Sequence, residues 1–178
     1  MPLHPSTVRS FVRFCSVCNR IPRDNGVDMQ RTGTPPRILL IEDYADSRQM
    51  LTLLLEGMNY CVLPAANGEE ALTAAANNDI DLVLTDFDLP DMTGPAVVRY
   101  VRALGNRLAH IPVIMLTAVD EYEHRSLAAE AGCDAFFIKP PNFEVLHATI
   151  EHLLQLNRCK NDMGSVTVDS GGASADLN

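Results

Sequence analysis

Four short apolar stretches in this chain each lead into a residue that can do chemistry. Residues 38–41 run into Glu42 and Asp43, residues 82–85 into Asp86 with Asp88 two positions on, residues 111–116 into Thr117, and residues 135–138 into Lys139. Three carboxylates brought together repel one another and are tolerated around a divalent cation; hard oxygen ligands favour Mg²⁺, which keeps several waters. Lys139 would add one positive charge, and Thr117 a hydroxyl that donates to an oxyanion. Such a set suits transfer of a phosphoryl group onto a carboxylate, with Asp86 attacking in line while the metal and the ammonium neutralise the moving group.

For these residues to meet, the stretches that carry them must be neighbouring parallel strands. The segments between them read as helices. After Asp46, which can cap a helix, Met50, Leu51, Leu54, Leu55 and Met58 recur at the 3.6-residue period, and Asn59 suits the left-handed position that closes it. Residues 61–65 then read as a strand, and Asn67-Gly68-Glu69-Glu70 is a capping signature for a second helix ending at Asn77 and Asn78. Pro95 can open a third helix with a buried stripe of Val97, Val98, Val101 and Leu104, stopped by Gly105. Asp120 begins a fourth, closed by Gly132, and Asn142 caps a fifth carrying Val145, Leu146, Ile150, Leu153 and Leu154. Five strand–helix units in strict alternation predict an α/β fold, a doubly wound five-stranded parallel sheet flanked by five helices through right-handed crossovers. The carboxyl ends of parallel strands share one edge, where open α/β sheets place their ligand sites, so the chemistry-bearing residues converge there.

The whole chain is consistent with one such domain plus extensions. Its 178 residues are 47% hydrophobic and 21% charged, ordinary for a globular protein with a real core. No apolar run approaches the roughly 20 residues that cross a bilayer, so no membrane span is expected. The net charge of −9 is unevenly spread: residues 1–36 carry five Arg against two Asp, residues 37–160 carry nine basic against eighteen acidic groups, and residues 161–178 add three Asp. A central segment of that sign repels phosphate, which argues against nucleic acid as a partner. Five scattered cysteines (Cys15, Cys18, Cys61, Cys133, Cys159) point to reduced thiols and a cytoplasmic location. Residues 1–36 are rich in Pro and Arg without periodicity and read as a disordered or upstream extension, with Met29 an alternative start. The Cys15-x-x-Cys18 pair has no partner motif to complete a zinc site. Residues 37–157 form the domain, and residues 158–178 read as a disordered tail.

Taken in order, ILLIED, LVLTDFDLPDMTG, MLTA and FIKP resemble the four signatures of the receiver domain of two-component response regulators, a CheY-like superfamily with a flavodoxin-like fold. The resemblance spans residues 37 to about 157. It implies that Asp86 is the phosphoacceptor, charged from a phosphohistidine on a sensor histidine kinase or phosphotransfer protein. It also implies that Glu42, Asp43, Asp86 and the backbone carbonyl of Asp88 hold Mg²⁺. Thr117 would be the switch hydroxyl, Lys139 its charge partner, Phe136 the aromatic switch, and Lys139–Pro140 a cis bond. Glu42 stands where Asp is frequent, and Asp88 adds a carboxylate expected to alter the lifetime of the acyl phosphate.

With no effector motif after the domain, the expectation is a stand-alone receiver that signals to a downstream protein. The surface would be the fourth helix, fifth strand and fifth helix, including Tyr122, Phe136 and Leu146, a face through which it could also form a homodimer. Such a domain is a signalling phosphoacceptor rather than an enzyme. Two other functions fit parts of the pattern. Asp86-Phe87-Asp88 is also the D-x-D of haloacid-dehalogenase-like phosphatases, although that family places its acidic pair late. A phosphorylation-independent docking scaffold would share the fold alone.

Overall fold

The core strands are built from residues that can be covered on both sides. In the computed structural model, which describes residues 34–164, the strands are β1 (Arg37–Ile41), β2 (Cys61–Ala65), β3 (Leu82–Asp86), β4 (Val113–Thr117) and β5 (Ala135–Ile138). Every residue of β3 and β4 is buried, as expected of central strands in a parallel sheet. Their alternate side chains serve two separate cores. Leu39, Val83, Val113 and Met115 point to one face and Ile38, Leu40, Leu82, Leu84, Ile114 and Leu116 to the other.

The helices are α1 (Ala45–Gly57), α2 (Gly68–Asn77), α3 (Gly94–Ala103), α4 (Tyr122–Ala131) and α5 (Phe143–Gly164). Ala71 and Ala75 of α2, Val97, Val98 and Val101 of α3, and Ala128 and Ala131 of α4 close the first core. Leu51 and Leu55 of α1 with Leu146, Ile150 and Leu154 of α5 close the second. The sheet order is β2-β1-β3-β4-β5, all parallel. The chain therefore turns one way from β1 to β2 and the other way from β3 onward, which opens a crevice at the carboxyl ends of β1 and β3.

Most helix ends follow the expected side chains. The Asn67 side chain accepts from Glu70 N–H while Glu70 reaches back to Ala66 N–H, 2.8 Å in each case. Asn142 caps α5 by accepting from Glu144 and Val145 N–H, and Asn59, Gly105 and Gly132 take positive φ after α1, α3 and α4. Lys139–Pro140 is cis.

The differences are local. Tyr44, not Asp46, occupies the N-cap of α1 and makes no side-chain cap; Asp46 lies inside the first turn, where its charge suits the positive helix end. The fourth helix begins at Tyr122 rather than Asp120, and a 3₁₀ turn at Asn106–His110 follows α3. At the other end, α5 runs on to Gly164. Cys133 and Cys159 are free thiols. The Cys15 and Cys18 pair, the N-terminal extension before residue 34 and the tail beyond residue 164 lie outside the described residues.

Candidate functional site

The site is assembled by register. Ile41 lies opposite Thr85, and Asp86 opposite Leu116, so the residues that follow β1 and end β3 and β4 come level at one edge of the sheet. One oxygen from each of Glu42, Asp43 and Asp86 falls within 4.8 Å of the others. Glu42 is 2% and Asp86 8% exposed, whereas Asp43 is open to solvent. Lys139 reaches in from the end of β5, and its Nζ donates to Glu42 Oε2 and to Asp86 Oδ2, each at 2.6 Å. Asp86 Oδ1 accepts the N–H of Phe87 at 2.7 Å, which leaves the carboxylate held at both oxygens.

One ammonium faces three carboxylates, and the electrostatics reflect that imbalance. Burial pushes the Glu42 carboxyl above its usual value, and the bond and charge of Lys139 only partly offset it. Burial opposes the charge on Lys139, but Asp86 and Glu42 outweigh it and hold its ammonium above the ordinary lysine range. An all-oxygen cluster with surplus negative charge is a donor set that a hard divalent cation fits.

Thr117, fully buried at the end of β4, exchanges contacts with Val119: its Oγ1 donates to the Val119 carbonyl and accepts from Val119 N–H, each at 3.2 Å. Phe136 on β5 is half-buried against the first core, with the Arg125 guanidinium 5.4 Å above its ring centroid. Asp88 is exposed, and its backbone bridges to Thr93 in the loop after β3.

Four supporting residues escaped the reading of the sequence. Arg48, inside the first turns of α1, donates from Nη1 to the backbone carbonyls of Glu42 at 2.6 Å and Asp43 at 3.0 Å, which pins the acidic pair. Gly94 packs so closely under Asp86 that a Cβ there would lie 2.2 Å from the Asp86 carbonyl oxygen. Asp91 accepts the N–H groups of Gly68 and Glu69, each at 2.9 Å, and so ties the loop after β3 to the start of α2. His124 of α4 stacks on Phe87 with ring centroids 3.9 Å apart. Only Gly94 carried a sequence signal, as a glycine just before Pro95 at a helix start.

This edge matches a known family. Residues 38–151 match the family model for the response regulator receiver domain. The chain belongs to the response regulator receiver family. It is 32% identical over 120 residues to the chemotaxis protein CheY of Pseudomonas aeruginosa, covering 67% of this chain and 96% of that protein. It is also 31% identical over 144 residues to the transcriptional regulatory protein PrrA of Mycobacterium bovis, but there covers 81% of this chain and 60% of the longer regulator. The structure of a CheY-like receiver domain protein from Methanospirillum hungatei superposes with a TM-score of 0.66 at 28% identity, covering 71% of this chain and 98% of that one. The receiver fold expected of the sequence, five parallel strands with five helices, is thus the fold found. Receiver domains of two-component systems are signalling phosphoacceptors rather than enzymes in the ordinary sense, and this chain carries such a domain. Among the described residues, no helix is long and apolar enough to cross a membrane.

Proposed function

We propose that Asp86 accepts a phosphoryl group from a phosphohistidine on a sensor histidine kinase or phosphotransfer protein. The observation that carries this reading is Lys139 Nζ bridging Asp86 Oδ2 and Glu42 Oε2 beside a third carboxylate. An Asp86 carboxylate oxygen attacks phosphorus, the phosphorus–nitrogen bond breaks, the donor imidazole leaves with its electron pair, and an acyl phosphate remains on Asp86. Glu42, Asp43, Asp86 and the backbone carbonyl of Asp88 would hold Mg²⁺, which when bound supplies charge neutralisation for the transferring group. Lys139 supplies the protein's own positive charge there, and Phe87 N–H orients the acceptor.

The phosphoryl group then draws the Thr117 hydroxyl toward it, and Phe136 shifts into the space released, which biases an existing equilibrium between two states. The output is protein contact through α4, β5 and α5, the face that also serves a homodimer. Tyr122 is 88% exposed on this face and Ile138 and Val145 are exposed beside it, whereas Leu146 is buried and belongs to the core. A donor charged from ATP and a domain with an acidic surface fit a cytoplasmic protein without nucleic-acid contact.

Incubation with acetyl phosphate and Mg²⁺ tests the reading. The expected result is stoichiometric labelling that is stable to acid, labile to hydroxylamine and absent from Asp86→Asn. Repeated turnover of an aryl phosphate, as in a haloacid-dehalogenase-like phosphatase, would overturn it. Unchanged partner capture with and without beryllofluoride would instead favour a docking scaffold.

A further inference from the structure

We propose that His124 is a positioning residue that holds the Thr117 hydroxyl in its resting orientation and so couples α4 to the state of Asp86, an inference that rests on the phosphoacceptor reading above. Its imidazole lies almost flat on Phe87, with centroids 3.9 Å apart and planes inclined by 13°. Phe87 is 4% exposed and adjoins Asp86 in the chain, so the stack fixes the imidazole against the acceptor loop rather than against its own helix. Held there, His124 Nδ1 lies 3.4 Å from Thr117 Oγ1, a long hydrogen bond for either tautomer.

The Thr117 hydroxyl has a single proton. Among the described residues its partners are the Val119 backbone and His124, and it is fully buried, so no water competes at that oxygen. A phosphoryl oxygen on Asp86 must take the proton from these contacts, and their strength sets part of the gap between the resting and switched states. The next residue on the same turn of α4, Arg125, lies over the Phe136 ring. Two consecutive residues of one helix therefore touch the switch hydroxyl and the aromatic ring, and α4 would respond to both as a unit.

Two substitutions separate the hydrogen bond from the stack. His124→Phe keeps a flat ring for Phe87 and removes Nδ1. His124→Asn keeps a polar atom near the Nδ1 position and removes the ring.

The measurement is the affinity for beryllofluoride in the presence of Mg²⁺, together with the labelling rate from acetyl phosphate. His124→Phe should bind beryllofluoride about threefold tighter or more and label correspondingly faster, the share of one weak hydrogen bond, while His124→Asn stays within about twofold of the parent. In a Thr117→Ala background, His124→Phe should change nothing. Equal affinity of His124→Phe and the parent, or the same gain with Thr117 removed, would overturn the proposal while leaving the phosphoacceptor intact. A parent protein that neither binds beryllofluoride nor labels on Asp86 would overturn both. Should His124→Phe fail to fold by circular dichroism, His124→Tyr, which also keeps a flat ring and lacks Nδ1, carries the same comparison.

Discussion

Lys139 is the residue on which the site's charge balance turns. Its Nζ is the one cation bonded to the carboxylates of the acidic cluster among the described residues, and one of its partners, Glu42, is almost wholly buried. Removing one member of such a pair strands the other without compensation. Lys139→Met should destabilise the protein by about 2–4 kcal/mol in chelator, measured by urea unfolding. Added Mg²⁺ should recover part of that loss, because a bound divalent cation stabilises the folded state by mass action. In the parent protein Mg²⁺ should raise the melting temperature in a concentration-dependent manner, and Asp43→Asn should abolish the rise. A melting curve indifferent to Mg²⁺ in both proteins would contradict the proposed metal ligands.

At the scale of elements, the loop between β3 and α3 is held at two points. One is close packing at Gly94, where any side chain meets the backbone of Asp86. Gly94→Ala should cost on the order of 1–3 kcal/mol, the range for overpacking, and displace the acceptor enough to reduce labelling from acetyl phosphate. The other is Asp91, whose carboxylate caps α2 from a neighbouring loop; the N–H groups of Gly68 and Glu69 hold its pKa below the usual aspartate value. For a carboxylate with a lowered folded-state pKa, the stabilisation is present above the unfolded value of 3.8 and is lost as pH falls through the folded value. Asp91→Ala should therefore cost about 1 kcal/mol at neutral pH, the usual worth of a helix cap, and the gap from the parent should shrink below about pH 3.8. A constant gap across that range would show that the bonds do not depend on the charge.

Across the whole molecule, the central sheet separates two apolar cores and carries the site on its edge. Leu84 is fully buried in the core between the sheet, α1 and α5, two residues before Asp86 on the same strand. Leu84→Ala should cost about 2–5 kcal/mol with an unchanged denaturant slope, since the cavity would lie between rigid layers. In the proposed switch, the same sheet carries a change at its edge toward a surface. Asp86 and Thr117 end adjacent strands, Phe136 lies on the next strand, and α4 packs over them with His124 and Arg125 against the site.

The strands, most of the helices and the shared edge were legible in the chain because each depends on neighbours close in sequence. Short continuous apolar runs, capping side chains such as Asn67 and Asn142, and the closing residues Asn59, Gly105 and Gly132 all act within a few positions. Parallel connectivity alone then brings the strand-end residues to one edge. The first and fourth helices start elsewhere than at Asp46 and Asp120 because end positions are set by small energy differences that local pattern resolves poorly. Only the tertiary structure decided which atoms meet. Lys139 bonds to Glu42 across 97 positions and to Asp86 across 53, and Asp91 caps a helix 23 residues earlier. Arg48 on the acidic pair, the tight packing at Gly94 and the His124–Phe87 stack are likewise products of register and helix packing. Sequence periodicity determines which face a side chain takes; the partner it finds there depends on the sheet order and the layers packed against it.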